Sequence, residues 1–256
     1  MRYFFVLFFL FSALLAVYST PVYEEAGMHV FENPSDVKNS FIYFMLIILF
    51  TIFILFSIKY RKLLILVIYS VTFVAIYYVL LPFIGIFSLV ISLVLVLILA
   101  LRPNWIIMNI SALLLSAGIS AIFGISLEPM PVIVLLAILS VYDVISVYKT
   151  KHMISLAESI AGIKAPMLFI IPIKGKNAYM GVGDVVMPCI LAASIQRYFQ
   201  APKLFFIKIP TLTSILGATI GLLVLISLIE RKGGAHPGLP FVNLGAVVGF
   251  LFGVMI

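Results

Sequence analysis

The stretch YMGVGDVVMPCILAASI runs from Tyr179 to Ile195. From Val185 onward it holds no charged residue, and it reads as the start of a membrane-spanning helix. Asp184 stands at its front. A carboxylate at mid-bilayer costs about 2.5–3.5 kcal/mol even on the mildest insertion scale, so Asp184 is a functional candidate by default.

The rest of the chain sets the context. Of 256 residues, 64% are hydrophobic and 10% charged. Soluble domains carry about 45–50% apolar and roughly 25% charged residues, so this is a polytopic membrane protein, expected to be one domain over 1–256. The net charge of +7 does not indicate nucleic acid, because the basic residues lie in short loops between apolar runs. The single cysteine, Cys189, excludes an internal disulfide and a cysteine-based zinc cage. His29, His152 and His236 fall in loops without ligand spacing, so no metal and no cofactor are expected.

Hydropathy predicts an all-α bundle of nine transmembrane helices over 3–20, 40–58, 63–81, 84–101, 104–125, 129–148, 181–199, 205–228 and 240–256. Pro82, Pro103, Pro129 and Pro202 are expected to punctuate the joins. Spans one to six make an N-terminal part over 1–148, a loop fills 149–180, and spans seven to nine complete 181–256. The first span has some character of a signal peptide, but AVYSTP (16–21) is a poor cleavage site, so a retained helix is expected.

Counting Lys and Arg in alternate loops gives twelve on the N-terminal side: Arg2, Lys59, Arg61, Lys62, Arg102, Lys149, Lys151, Lys164, Lys174, Lys176, Arg231 and Lys232. Four fall on the other side: Lys38, Arg197, Lys203 and Lys208. The N-terminus and the 149–180 loop are therefore expected in the cytoplasm and the C-terminus outside. The loop after span seven, with three cations, runs against the rule.

Asp143 is the second acid inside an apolar helix. It lies six residues from the inner end of span six, about 9 Å deep at 1.5 Å per residue. Asp184 lies about one turn inside the start of span seven. The two carboxylates thus share a depth on the inner side. If they meet, both cannot easily ionise, and the pair should share a proton. Such a pair meets the chemical requirement of an aspartic protease: one carboxylate takes a proton from water while its protonated partner polarises the scissile carbonyl. Gly181 and Gly183 would let a peptide backbone approach Asp184. HPGLPFVN (236–243) opens span nine from the same side, with Pro237 and Pro240 keeping it from ordinary helix.

Together these elements resemble the presenilin and signal peptide peptidase family, the intramembrane GxGD aspartyl proteases. The family pattern of YD, GxGD and PAL reads here as Tyr142–Asp143, Gly181–Asp184 and PGLP at Pro237–Pro240. The resemblance covers essentially the whole chain. It implies that Asp143 and Asp184 are the catalytic pair, and that Gly238, Leu239 and Pro240 shape the substrate site. Gly238 departs from the family's usual alanine. The charge count implies the presenilin orientation, and substrates that are single-span membrane proteins or signal peptides with an outside N-terminus. No obligatory accessory subunit is expected. The compact chain, without room for a long processed insert, suggests a microbial, archaeal homologue.

The loop segment APMLFIIPI (Ala165–Ile173) is apolar, too short to span, and poor helix because of Pro166 and Pro172. It could pair with an unwound substrate by strand addition, or rest on the bilayer. HMISLAESIAGI (152–163) reads as an amphipathic stretch with Glu158 solvated. Gly217, Gly221, Gly245, Gly249 and Gly253 are expected to allow close helix packing. Tyr142 either lines the substrate path or only packs.

Two other readings compete. A proton- or cation-coupled transporter or channel also uses paired membrane carboxylates, but no inverted repeat of the GxGD segment is visible. Type IV prepilin peptidases share GxGD, but are expected to show a lysine soon after the aspartate. Here Val185, Val186 and Met187 follow.

Overall fold

A computed structural model describes residues 3–58, 60–150, 166–173, 176–234 and 236–256. The 152–163 stretch and Ala165 lie outside the described residues. Nine α-helices are described: α1 (Phe4–Glu25), α2 (Lys38–Ile58), α3 (Arg61–Ile84), α4 (Phe87–Leu101), α5 (Trp105–Ser126), α6 (Pro129–Ile145), α7 (Val182–Tyr198), α8 (Ile209–Lys232) and α9 (Leu239–Val254). Two antiparallel hairpins flank α7: β1 (Leu168–Ile173) with β2 (Lys176–Gly181), and β3 (Lys203–Leu204) with β4 (Ile207–Lys208).

The molecule is a helical membrane protein. Six helices (α1, α2, α3, α5, α6 with its extension, and α8) are long and apolar enough to cross a bilayer. The fourth and ninth are apolar but shorter. Large side chains along α2, α3 and α4 face outward, as lipid-facing residues do.

Several boundaries differ from the hydropathy reading, each for a local reason. Pro82 does not end a helix. It sits inside α3, which stops at Gly85, where a φ of 55° and an N–H donated to the Leu81 carbonyl terminate the last turn. Pro21 likewise lies within α1. The α-helical part of span six ends at Ile145 and widens into a π-turn over Ser146–Thr150. The eighth span begins four residues late, because Lys203–Lys208 form a hairpin and Pro210 opens the helix after it. Pro240 is helical, lying in the first turn of α9, so the irregular backbone ends at Gly238.

α7 is the axis of the bundle. Val185, Val186 and the run Pro188–Ile195 are buried, packed among α1, α5, α6, α8, α9 and β1 in the main core. Hydroxyls tie it to α5: Ser120 donates to the Val186 carbonyl at 3.2 Å, and Ser194 donates to the Leu127 carbonyl at 2.6 Å. The glycines of α8 and α9 act as expected. A Cβ at Gly217, Gly221, Gly245 or Gly249 would collide with backbone of the facing helix, and one at Gly253 with Thr213 and Pro210.

Candidate active site

Three chain segments converge at one end of α7. Asp143 lies near the C-terminal end of α6, just before the π-turn, and is 6% exposed. Its Oδ2 accepts the Leu239 N–H at 3.1 Å. That N–H belongs to the first turn of α9, where backbone donors have no partner within the helix. Asp184 lies in the first turn of α7 and is half-buried. Its carboxyl group rests against Gly238: a Cβ there would come within 3.0–3.1 Å of Asp184 Cγ, Oδ1 and Oδ2. Two adjacent residues, Gly238 just before α9 and Leu239 in its first turn, therefore touch the two acids.

The glycines differ in what they do. A Cβ at Gly181 would approach Asp184 Oδ2 to 3.2 Å, so Gly181 and Gly238 hold the carboxyl group between two bare backbones. Gly183 is exposed and faces open space. Pro237, Gly238 and Leu239 are buried, and Pro240 is half-buried. One turn beyond Leu239, Asn243 fastens α9 to α6 by donating to Ser140 Oγ at 3.1 Å. Nearby, the Tyr148 hydroxyl meets His236 Nδ1 at 2.9 Å, linking the π-turn to the loop before Pro237.

Tyr142 packs toward α2. It stacks edge-on to Phe44 of α2 at 6.0 Å, and with Phe44, Ala137, Ile138, Val141 and Ile145 it lines an apolar cavity of about 420 Å³ between α2 and α6.

The segment Leu168–Ile173 is extended, but it is not free to accept a strand. One edge pairs with β2 in the register Ile170↔Tyr179 and Leu168↔Gly181. On the other edge, buried Asn109 of α5 donates to the Ile170 carbonyl at 2.7 Å and accepts its N–H at 2.8 Å. Ile170 and its opposite number Tyr179 thus form a non-hydrogen-bonded pair, in which both residues turn their backbone groups outward. By the same alternation Asn177, Tyr179 and Gly181 direct theirs away from β1, and this edge leads in three residues to Asp184. The sequence reading did not single out Asn109. Its signal was a lone amide in an apolar helix.

The family model for signal-peptide peptidase and presenilin aspartyl protease matches residues 6–256. Two solved structures, each of a presenilin-family intramembrane aspartate protease, are similar in fold. In the C222 form the identity is 32%, covering 98% of this chain and 95% of that one, with a TM-score of 0.74. In the P2 form the identity is 34%, covering 98% and 96%, with a TM-score of 0.75. Among curated proteins none matches significantly. These findings give no support to a transporter. A matching family model over nearly the whole chain, and a shared fold at about one-third identity, place this protein in the presenilin and signal-peptide peptidase family as a multi-pass intramembrane aspartyl protease.

Proposed function

We propose that Asp143 and Asp184 are the catalytic dyad of this protease, held at working separation by Gly238 and Leu239. The observation that carries the reading is the contact of these two adjacent residues with the two acids. The ionised carboxylate removes a proton from water, and the resulting hydroxide attacks the scissile carbonyl carbon. The protonated partner gives its proton to the carbonyl oxygen, forming a gem-diol. The proton taken from water then passes to the amide nitrogen, a gem-diol hydroxyl gives its proton to the ionised carboxylate as the C–N bond breaks, and the pair again shares one proton. No cofactor is required.

The substrate is a single-span membrane segment or signal peptide. It approaches from the lipid through the apolar cavity beside Tyr142. Near Asp184 it unwinds and adds to the outward edge of β2, at Asn177 and Tyr179, passing over the open space at Gly183. This edge replaces the expected one on 165–173, because one edge of β1 pairs with β2 and Asn109 occupies the other at Ile170. Pro237 and Pro240 hold the turn into α9 around the site.

All nine helices cross the bilayer in this reading. α7 begins at the dyad and ends where Tyr198 donates to the Ile125 carbonyl near the end of α5. α9 begins at the dyad and brings Phe250 to Phe199 at 5.5 Å. Both therefore run between the same two ends as the longer helices. The N-terminus and the loop 149–180 are cytoplasmic and the C-terminus is outside, as the basic residues suggest. The protein works without an accessory subunit.

The test uses purified protein and a single-span peptide. Cleavage should be lost with Asp143→Asn and with Asp184→Asn, and the unmutated protein should bind a transition-state-analogue inhibitor of aspartyl proteases. Persistence of cleavage in either variant overturns the assignment. Tyr179→Pro removes one outward N–H while leaving the β1–β2 ladder intact. It should slow cleavage, and an unchanged rate rejects strand addition.

A further inference from the structure

The far end of α7 carries a second hairpin that the protease reaction does not use. Gln196 lies twelve residues beyond Asp184, about 18 Å along the helix. Its amide donates to the Phe206 carbonyl at 2.8 Å and accepts the Lys208 N–H at 3.0 Å, so the hairpin Lys203–Lys208 is held rigidly.

Three features of this hairpin oppose its own stability. Phe205 has a φ of 58°, the only positive value for a non-glycine residue among the described ones. The first central position of such a two-residue turn ordinarily takes glycine. Phe205 is also 94% exposed and Phe206 50% exposed. Lys203 and Lys208 stand directly opposite each other across the ladder, where like charges repel. Burial, with Lys203 and Arg197 nearby, pulls the Lys208 ammonium below the usual lysine range. Arg197 has its own partner in Glu24. Neither lysine has an ion-pair partner among the described residues. Phe205, at 94% exposure, has no packing to offset its positive φ, and strain kept against the local rules points to function.

The charge and the aromatic tip share one complement. A phospholipid places an anionic phosphate directly above acyl chains, at the level where aromatic side chains settle. Tyr18 of α1 stacks edge-on to Phe206 at 6.1 Å and continues the aromatic surface. We propose that the β3–β4 hairpin is a binding site for an anionic phospholipid. Lys203 and Lys208 grip the headgroup phosphate, and Phe205 wedges between the chains below it. The bound phosphate relieves the repulsion between the lysines, and the inserted Phe205 leaves water. The lysines that run against the basic-inside rule then have a local purpose.

The test uses the full chain in neutral detergent. Phosphatidylglycerol should raise Tm by about 2–4 °C, the shift expected for roughly 1 kcal/mol of linked binding in a chain of this size. Phosphatidylcholine and sodium phosphate should not. The double variant Lys203→Gln, Lys208→Gln should lose the rise while keeping its cleavage activity. Phe205→Gly relaxes the turn, so it should fold at least as well without lipid, yet gain less from phosphatidylglycerol. The chain has one tryptophan, Trp105, which permits a second readout. Phe205→Trp in a Trp105→Phe background should be quenched more by brominated phosphatidylglycerol than by brominated phosphatidylcholine. Three results overturn the proposal: an equal rise with phosphatidylcholine, an equal rise with inorganic phosphate, or an undiminished rise in the double lysine variant.

Discussion

Two hairpins flank α7, and each is fastened by one carboxamide that bonds backbone on both its faces. The similarity ends there. The β1–β2 hairpin is buried along Leu168–Ile171, Asn109 is 4% exposed, and β2 continues into Gly181 and Asp184. The β3–β4 hairpin is exposed, its clamp Gln196 is half-buried, and Phe205 at its tip is 94% exposed. A hydrogen bond gains in worth as water is excluded, and leaving a buried backbone group unpaired costs about 1–3 kcal/mol. The same chemical device is therefore structural leverage on the active site at one end, and a mount for an exposed surface at the other.

Substitutions can break or sharpen this contrast. The largest effect belongs to the dyad itself and sets the scale: Asp143→Asn or Asp184→Asn should lower cleavage by about 10³-fold or more, with helicity unchanged by circular dichroism. Next comes the Asn109 clamp. Asn109→Leu strands both backbone groups of Ile170, and should reduce kcat/KM by about 10- to 100-fold, mostly through kcat, since the strand leading to Asp184 is displaced. Asn109→Asp keeps the acceptor for the Ile170 N–H but loses the donor to its carbonyl, so it should fall between. A smaller change is expected at Gly238→Ala, which restores the family's residue but sets a methyl within about 3.0 Å of Asp184. Because the aspartate must give way by a few tenths of an ångström, a loss of about two- to fivefold is expected, read from initial rates. The smallest effect should follow Gln196→Leu. If the two ends differ as described, cleavage stays within about twofold while Tm falls by about 1–2 °C. An equal loss of activity from Gln196→Leu and Asn109→Leu would erase the distinction.

Much of the site was readable before any coordinates. Asp143 and Asp184 stood out because a carboxylate in an apolar run is costly wherever the chain goes next. The packing glycines of α8 and α9 were legible from their spacing, and they do let the helix backbones meet. Other residues were misread for local reasons. Pro82 looked like a stop, but so near the end of α3 it removes only one backbone hydrogen bond, and Gly85 ends the helix instead. Ala165–Ile173 was recognised as poor helix, yet the edge open for pairing belongs to β2. Gly181 and Gly183 read alike in the motif. Only the first is pressed against a carboxyl group.

The chain's own letters determined that it enters a membrane, where its two embedded acids lie along their helices, and which segments resist helix. These follow from hydropathy, charge cost and backbone restriction, which act residue by residue. The fold alone decided that Gly238 and Leu239 would touch both acids, and that Asn109 would close the edge of β1 at Ile170. In the closest of those contacts a side chain meets backbone N–H, C=O or a bare Cα. Every residue carries those backbone groups alike, so no side-chain pattern marks which one will be met.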